Sequence, residues 1–112
     1  MIRIVEIIVF HSSSAYQVIV LRVVDGVETL PAEYKSQLED SNKDSLNFYV
    51  TAEIGNTPVF EKSWKFTVGD GNRYGKFVNK KLERGDDYII YQRAITEHEG
   101  VSNFLILMKY IA

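Results

Sequence analysis

The sequence predicts an all-β fold in which two antiparallel sheets pack face to face as a sandwich. Three observations predict it. The chain contains six or seven runs rich in β-branched and aromatic residues, clusters of Gly, Pro, Asn, Asp and Ser separate these runs, and no strong helical pattern occurs. Sheets built from such strands bury one apolar face against each other.

The first two strands are expected at the N-terminal end of the chain. Ile2 to Phe10 is apolar at nearly every position, which is typical of a strand covered on both faces. The polar turn His11 to Ser14 separates it from a second apolar run, Tyr16 to Val24. Because consecutive strands are usually neighbours, we expect these two to pair antiparallel.

A charged connection follows, from Asp25 to Ser45, with Asp25-Gly26 and Pro31 as breakers. A short helical turn around Ala32 to Leu38 fits the sequence, but no long apolar stripe supports a core helix. We therefore predict a long, solvated loop at about residues 25–45. Loops of this length are usually functional or disordered.

The middle of the chain carries two further strands. Leu46 to Ile54 alternates apolar and polar residues, so its apolar side chains are predicted to share one face: Leu46, Phe48, Val50, Ala52 and Ile54. Val59 to Val68 follows, and its apolar face is expected to bury Trp64 in the core. The remaining segments are an edge-like piece and two strands: Tyr74 to Lys80, Tyr88 to Ile95 and Val101 to Ile111.

The spacing of three residues predicts how the two sheets are joined. Leu82 lies six residues before Tyr88, and Ala94 lies six residues after it. We interpret Leu82 as a side chain that fills one end of the core. Tyr88 would begin the strand that follows a polar turn, and this turn would cross from one sheet to the other. The Tyr88 hydroxyl would bond back to the crossing, as in the tyrosine corner of immunoglobulin-like sandwiches. The alternative is a hairpin turn followed by a strand that merely begins with tyrosine.

Size and composition exclude several classes of function. The 112 residues fit a single domain, residues 1–112, and the formal charge of -2 argues against nucleic acid as a partner. No apolar run approaches the roughly 20 residues that span a bilayer, so we expect no direct membrane insertion by this segment. The absence of cysteine excludes disulfides, thiolate metal sites and a cysteine nucleophile within these residues.

One acidic stretch imitates a calcium loop. Asp40, Asn42 and Asp44 match the first three ligand positions of such a loop. Ser45 stands where glycine is required, and Thr51 stands where a bidentate glutamate is required. We therefore interpret the stretch as a solvated acidic loop.

Three other groups of residues invite a chemical interpretation: the glycines Gly69, Gly71 and Gly75, the tip Glu97-His98-Glu99, and His11 with Ser12 to Ser14. The glycines lack the spacing of a phosphate loop and a following helix, so a tight turn explains them better. The acidic tip lacks a third and fourth metal ligand. The serines form a hydrophilic turn. We predict no catalytic, cofactor-binding or metal-ligating residue here.

Aromatic residues on faces or edges are better candidates for a contact with another protein. Tyr49, Tyr74, Phe77 and Tyr110 stand at such positions, and aromatic side chains are enriched at the centres of interfaces. The alternative is that they cover the core or its edges, because single aromatic residues on a surface need no special explanation.

The corner residues Leu82, Tyr88 and Ala94 resemble a fibronectin type III domain. Four blocks narrow the resemblance: Tyr16 to Val20, Phe48 to Glu53, Phe66 to Gly71 with Tyr74, and Tyr88 to Tyr91 through Ala94. Their order, from about Tyr16 to Ile95, is similar to the membrane-proximal fibronectin-like domains of receptor-type protein tyrosine phosphatases. The resemblance implies an immunoglobulin-like, antiparallel β-sandwich. We expect its first strand to be missing, because the chain begins where the second strand would stand.

The resemblance also implies a function. It implies a non-catalytic interaction or spacer module in the extracellular part of a plasma-membrane receptor, which contributes to cell adhesion or ligand-linked signalling. Phosphatases of that family use a cysteine nucleophile, so such activity would belong to another part of the parent protein. Two alternatives are an adhesion receptor without a phosphatase, and a carbohydrate-binding or small enzymatic β-sandwich.

A missing first strand has a physical consequence. The edge of Ile2 to Phe10 would then carry unpaired N–H and C=O groups, which are a template for another strand. We therefore expect a protein partner, or self-association, through this sheet edge or through the exposed aromatics.

Overall fold

The structure is a computed structural model that describes residues 3–8, 15–34, 38, 47–55, 63–98 and 101–111. At positions 3, 5–8, 63–64, 96–98 and 101–111 it describes the backbone and not the side chain. The described strands are β1 Arg3–Ile8, β2 Ala15–Arg22, β3 Phe48–Gly55, β4 Ser63–Val68, β5 Arg73–Tyr74, β6 Phe77–Val78, β7 Tyr88–His98 and β8 Val101–Ile111.

The strands form two packed layers and a small hairpin. One layer is the pair β1-β4, and the other is a four-stranded sheet in the order β3-β2-β7-β8. The hairpin is β5-β6, and every described pairing is antiparallel. The predicted all-β, antiparallel sandwich is therefore confirmed.

The core between the layers, which we call the inner cluster, takes side chains from β2, β3, β4 and β7. It consists of Tyr16, Val18, Val20, Ala52, Phe66, Val68, Leu82, Tyr88, Ile90 and Ala94. Each of these is at most 4% exposed. Because β4 contributes Phe66 and Val68, the inner cluster joins the two sheets by burial of apolar surface.

The expected pairing of the first two strands is wrong. β1 pairs with β4, with Val5 opposite Phe66, whereas β2 pairs with β3 and β7. The chain therefore changes sheet between β1 and β2. A sandwich built around one core requires such crossings, and neighbourhood in sequence does not decide where they occur.

The predicted single apolar face of β3 is also wrong. Val18 pairs with Ala52 and Ile19 pairs with Val50, so Thr51 is an extra residue in β3. A bulge of this kind reverses the alternation of side chains. Ala52 consequently faces the inner cluster, and Val50 faces the opposite side of the sheet.

That opposite side carries a second core, which we call the outer cluster. Its buried members are Ile19, Leu21, Phe48, Val50, Ile89 and Tyr91. The connection after β2 packs on it through Leu30, Tyr34 and Leu38, so the expectation of a wholly solvated connection is wrong at these three residues. Asp25 to Thr29, by contrast, are exposed.

Polar contacts fix the connection to the sheet. The Tyr91 hydroxyl donates a hydrogen bond of 3.2 Å to the Glu28 carbonyl, and the Val23 N–H donates one of 2.8 Å to the Asp87 carbonyl. Tyr34 and Leu38 have helical backbone, and the Tyr34 N–H bonds the Pro31 carbonyl at 3.1 Å.

The tyrosine corner is present. The Glu83 N–H donates a hydrogen bond of 2.8 Å to the Tyr88 hydroxyl, across the turn that contains Gly85 with a φ of 93°. Leu82, Tyr88 and Ala94 are 3%, 4% and 3% exposed and belong to the inner cluster. The corner therefore ties the start of β7 to the segment that precedes it. Trp64 lies in β4 opposite Ile7, and its side chain is outside the described part.

We predict that Tyr88→Phe lowers the free energy of unfolding by about 1 to 2 kcal/mol, because the Glu83 amide loses its acceptor while the ring stays packed. Urea denaturation measures the change. Tyr49→Phe is the matched control, since Tyr49 is half-buried beside the inner cluster. Equal losses in the two variants would contradict a structural role for the Tyr88 hydroxyl.

Candidate functional site

The β5-β6 hairpin lies against β3 at one edge of the four-stranded sheet. A Cβ added at Gly75 would stand 3.3 Å from both the Cβ and the carbonyl oxygen of Glu53 in β3. Gly75 also has a φ of 65°, which side chains with a Cβ rarely adopt. Glycine therefore permits the hairpin to approach the edge of β3, and the hairpin covers that edge.

Asn79 is the centre of the polar network that holds the hairpin. It is fully buried, and its Oδ1 accepts hydrogen bonds of 2.8 Å from the Gly69 N–H and the Thr51 hydroxyl. Its Nδ2 donates to the Thr67 carbonyl at 2.7 Å and to Asp70 Oδ1 at 3.0 Å. An asparagine amide offers two donors and two acceptor positions, so its capacity is filled. The network joins the bulge of β3 to the turn after β4.

Asp70 connects this network to Tyr74. Its carboxylate accepts hydrogen bonds from the Tyr74 hydroxyl and, at 2.8 Å, from the Asn72 N–H. Burial alone would raise the pKa of the Asp70 carboxyl, but the hydrogen bonds from Tyr74, Asn72 and Asn79 outweigh it and hold the pKa below its usual value. The Tyr74 ring meets Phe66 edge to face, with 5.1 Å between centroids.

The glycines after β4 form turns. Gly69, Gly71 and Gly75 have φ values of 90°, 81° and 65°. The segment that follows forms β5 and β6, with no helix in the described part of this segment that could offer its N-terminus to a phosphate. This geometry agrees with the tight turn that the sequence favoured.

A polar row crosses the four-stranded sheet beside the outer cluster. Arg93 Nε donates a hydrogen bond of 2.7 Å to Gln17 Oε1, and Gln17 Nε2 donates one of 2.7 Å to Glu53 Oε1. Arg93 is 3% exposed, and its guanidinium lies 6.0 Å from the centre of the Tyr34 ring. A buried charge of this kind requires hydrogen bonds and favourable electrostatics, which Gln17 and the ring provide.

Sequence reasoning missed Arg93 and Gln17. Both stand in strongly apolar strands, and they are opposite each other in the pairing of β2 with β7. A polar residue in each of two apolar runs was the available signal, but only the register shows that they meet.

The candidate interface aromatics do not share one surface. Tyr49 and Tyr74 are half-buried against the inner cluster, whereas Phe77 is half-buried against the outer cluster. Burial, with a smaller contribution from Tyr88, raises the pKa of Tyr49 to about 12. Tyr110 lies in β8 opposite Ile90, and its side chain is outside the described part.

The other candidate residues lie wholly or partly outside the described residues. The structure does not describe His11, Ser12 to Ser14, Asp40, Asn42, Asp44 or Glu99, and it describes only the backbone of Glu97 and His98. Among the described residues, no group of three His, Cys, Asp or Glu side chains could hold a metal ion. The described part also has no helix long and apolar enough to cross a membrane.

The polar side chains at this site therefore serve to hold the hairpin in place. The carboxylate of Asp70 and the amide of Asn79 are both engaged in bonds within the protein. Arg73 and Lys76 in the hairpin, and Lys80 after it, are exposed beside this network.

Comparison with known proteins identifies a family and a relative. The family model described as "Receptor-type tyrosine-protein phosphatase U Fn3 domain" matches residues 8–108. The chain is also 30% identical over 88 residues to a protein of Drosophila melanogaster named "Putative inactive tyrosine-protein kinase Wsck". This match covers 75% of the chain and 11% of that relative, so the chain spans a small part of the relative's length.

The hydrogen bonds to Asp70 predict a pH-dependent stability. Since its folded-state pKa is lowered, these bonds stabilise the fold above the unfolded pKa of about 4, and this stabilisation is lost as the pH falls through the folded-state value. We predict that Asp70→Asn is destabilising at pH 7 and that its difference from the unmodified chain shrinks toward pH 2. Urea denaturation across this range measures it.

Asp87→Asn is the control, because Asp87 is exposed. Its substitution is expected to change the free energy of unfolding little. A difference for Asp70→Asn that does not change between pH 7 and pH 2 would contradict the prediction.

Proposed function

This chain belongs to the family of Fn3 domains of receptor-type tyrosine-protein phosphatase U, and from this premise we propose that it is a module in the extracellular part of a receptor. We propose further that it acts as a spacer and interaction module that contributes to cell adhesion or ligand-linked signalling. The parent would be a receptor-type protein tyrosine phosphatase of the plasma membrane, whose catalytic domain lies elsewhere.

The match over residues 8–108 carries the proposal. Fibronectin type III domains are non-catalytic modules, and the buried polar groups of this one agree with that role. The network around Asn79 and the corner at Tyr88 use their polar atoms to fix backbone segments. A rigid domain of this kind can set a distance and present a surface.

A second candidate is a cell-surface receptor without a phosphatase. The relative from Drosophila melanogaster favours it, because the name of that protein describes an inactive tyrosine kinase. The same type of domain would then stand in parents with different cytoplasmic parts. The residues that follow this segment in the parent decide between the two candidates.

The surface for a partner is proposed at the edge of β1. Among the described strands β1 pairs with β4 along one edge only, and Ile4 is 65% exposed. A strand from another protein, or from a second copy, could add to this edge through main-chain hydrogen bonds.

We predict that antibodies against this domain label intact, unpermeabilised cells that express the full-length parent. Adhesion of such cells is expected to fall when an unrelated sandwich of equal length replaces the domain, and to fall partly with Ile4→Lys, which places a charge beside the edge of β1. A cell-aggregation assay measures both. Labelling only after permeabilisation would contradict the extracellular placement. Full adhesion of cells that carry the unrelated sandwich would contradict the role as an interaction module and leave that of a spacer.

A further inference from the structure

Cations are concentrated on the hairpin and the segment after it. From Arg73 to Arg84 the chain carries five cations and one carboxylate, although the whole chain has a formal charge of -2. All five cations are exposed: Arg73, Lys76, Lys80, Lys81 and Arg84. We call these five residues the basic hairpin, although the last three follow β6 in the chain. Like charges this close together create a local positive potential that the net charge conceals.

The described residues give the cations of the basic hairpin no carboxylate partner. Among the described residues, the ion pair that occurs joins Arg22 to Asp86 at 3.8 Å, and no carboxylate pairs with a cation of the basic hairpin. Asp70 is near in sequence, but its carboxylate already accepts bonds from Tyr74 and Asn72. These exposed cations can therefore contact an external anion.

The pairing within the hairpin directs Arg73 outward. Arg73 pairs with Val78, and Tyr74 pairs with Phe77. Tyr74 turns toward the protein to bond Asp70, so the alternation of a strand places Arg73 and Val78 on the opposite side. Val78 is accordingly 41% exposed.

The side chains of the three lysines in the basic hairpin lie against neighbouring groups. The Lys76 ammonium lies 5.5 Å from the centre of the Phe77 ring, and the Lys80 ammonium lies 5.0 Å from that of Tyr49. Lys81 passes over Gly71, with its Cε 3.9 Å from the position of an added Cβ. Contacts of this kind reduce the side-chain entropy that an anion must otherwise overcome on binding.

We propose that the basic hairpin binds a sulfated polysaccharide. Its cations are distributed along a 12-residue stretch rather than gathered around a pocket, which suits a linear chain of anionic groups. This choice rests on the proposed extracellular placement, where sulfated chains are the abundant linear polyanions. An anionic membrane or an acidic protein offers similar charge, and the experiment distinguishes them.

Heparin is the probe, and the 112-residue chain is the protein. Isothermal titration is expected to show binding that weakens as salt rises, because binding releases counterions. A combined variant replaces four of the cations with glutamine: Arg73→Gln, Lys76→Gln, Lys81→Gln and Arg84→Gln. Its affinity for heparin should fall at least about tenfold, since four charges are lost. Lys65→Gln, an exposed lysine of β4, is the matched control for Lys81→Gln and should bind as the unmodified chain does.

Urea denaturation of each variant checks the fold, and Lys81→Gln alone keeps the test valid if the combined variant does not fold. Equal binding by the variants and the control, or equal binding of fully desulfated heparin, would overturn the proposal. So would stronger binding to phosphatidylserine vesicles or to polyglutamate than to heparin. Failure here leaves cell-surface labelling unaffected, so it is distinguishable from failure of the proposed function.

Discussion

The four-stranded sheet carries an apolar cluster on each of its faces, and other parts of the chain pack on both clusters. Full burial of a large apolar side chain is worth about 1.5 to 3 kcal/mol. The six side chains of the outer cluster together therefore represent on the order of 10 kcal/mol, which is comparable with the whole stability of a small domain. Exposure of either face would remove most of that stability. Phe66 and Val68 of β4 pack on the inner face, and the connection after β2 packs on the outer one.

Polar groups fix how these covers are attached. The Glu83 N–H bonds the Tyr88 hydroxyl, Asn79 accepts a hydrogen bond from Thr51 of β3, and Tyr34 lies over the buried Arg93. Each satisfies a group that would be costly to bury alone. The apolar clusters supply most of the free energy, and these contacts determine register and position. The hairpin is consequently held in place while its cations stay in water.

The sequence indicated the parts of the structure that depend on local spacing. Leu82, Tyr88 and Ala94 predicted the corner, and the glycines after β4 predicted turns. The bulge at Thr51 could not be predicted, because the apolar and polar residues of β3 alternate in sequence with or without it. Only the pairing of β3 with β2 shows the extra residue, which places Val50 and Ala52 on opposite faces. The sequence allowed a helical turn at Tyr34 and Leu38, but it did not indicate that these residues and Leu30 pack on the sheet, although they are spaced four apart, which is typical of one helix face. Their acidic surroundings hid a stripe of only three residues.

The coverage of the outer face is tested most directly by Leu30→Ser, Tyr34→Ser and Leu38→Ser in one chain. We predict a loss of about 3 kcal/mol or more in the free energy of unfolding, with increased binding of a hydrophobic dye. Serine at the exposed Val27, Glu28 and Ala32 is the control, and it should change neither quantity appreciably. Unchanged stability of the first variant, without dye binding, would contradict the claim that this sheet must be covered on both faces.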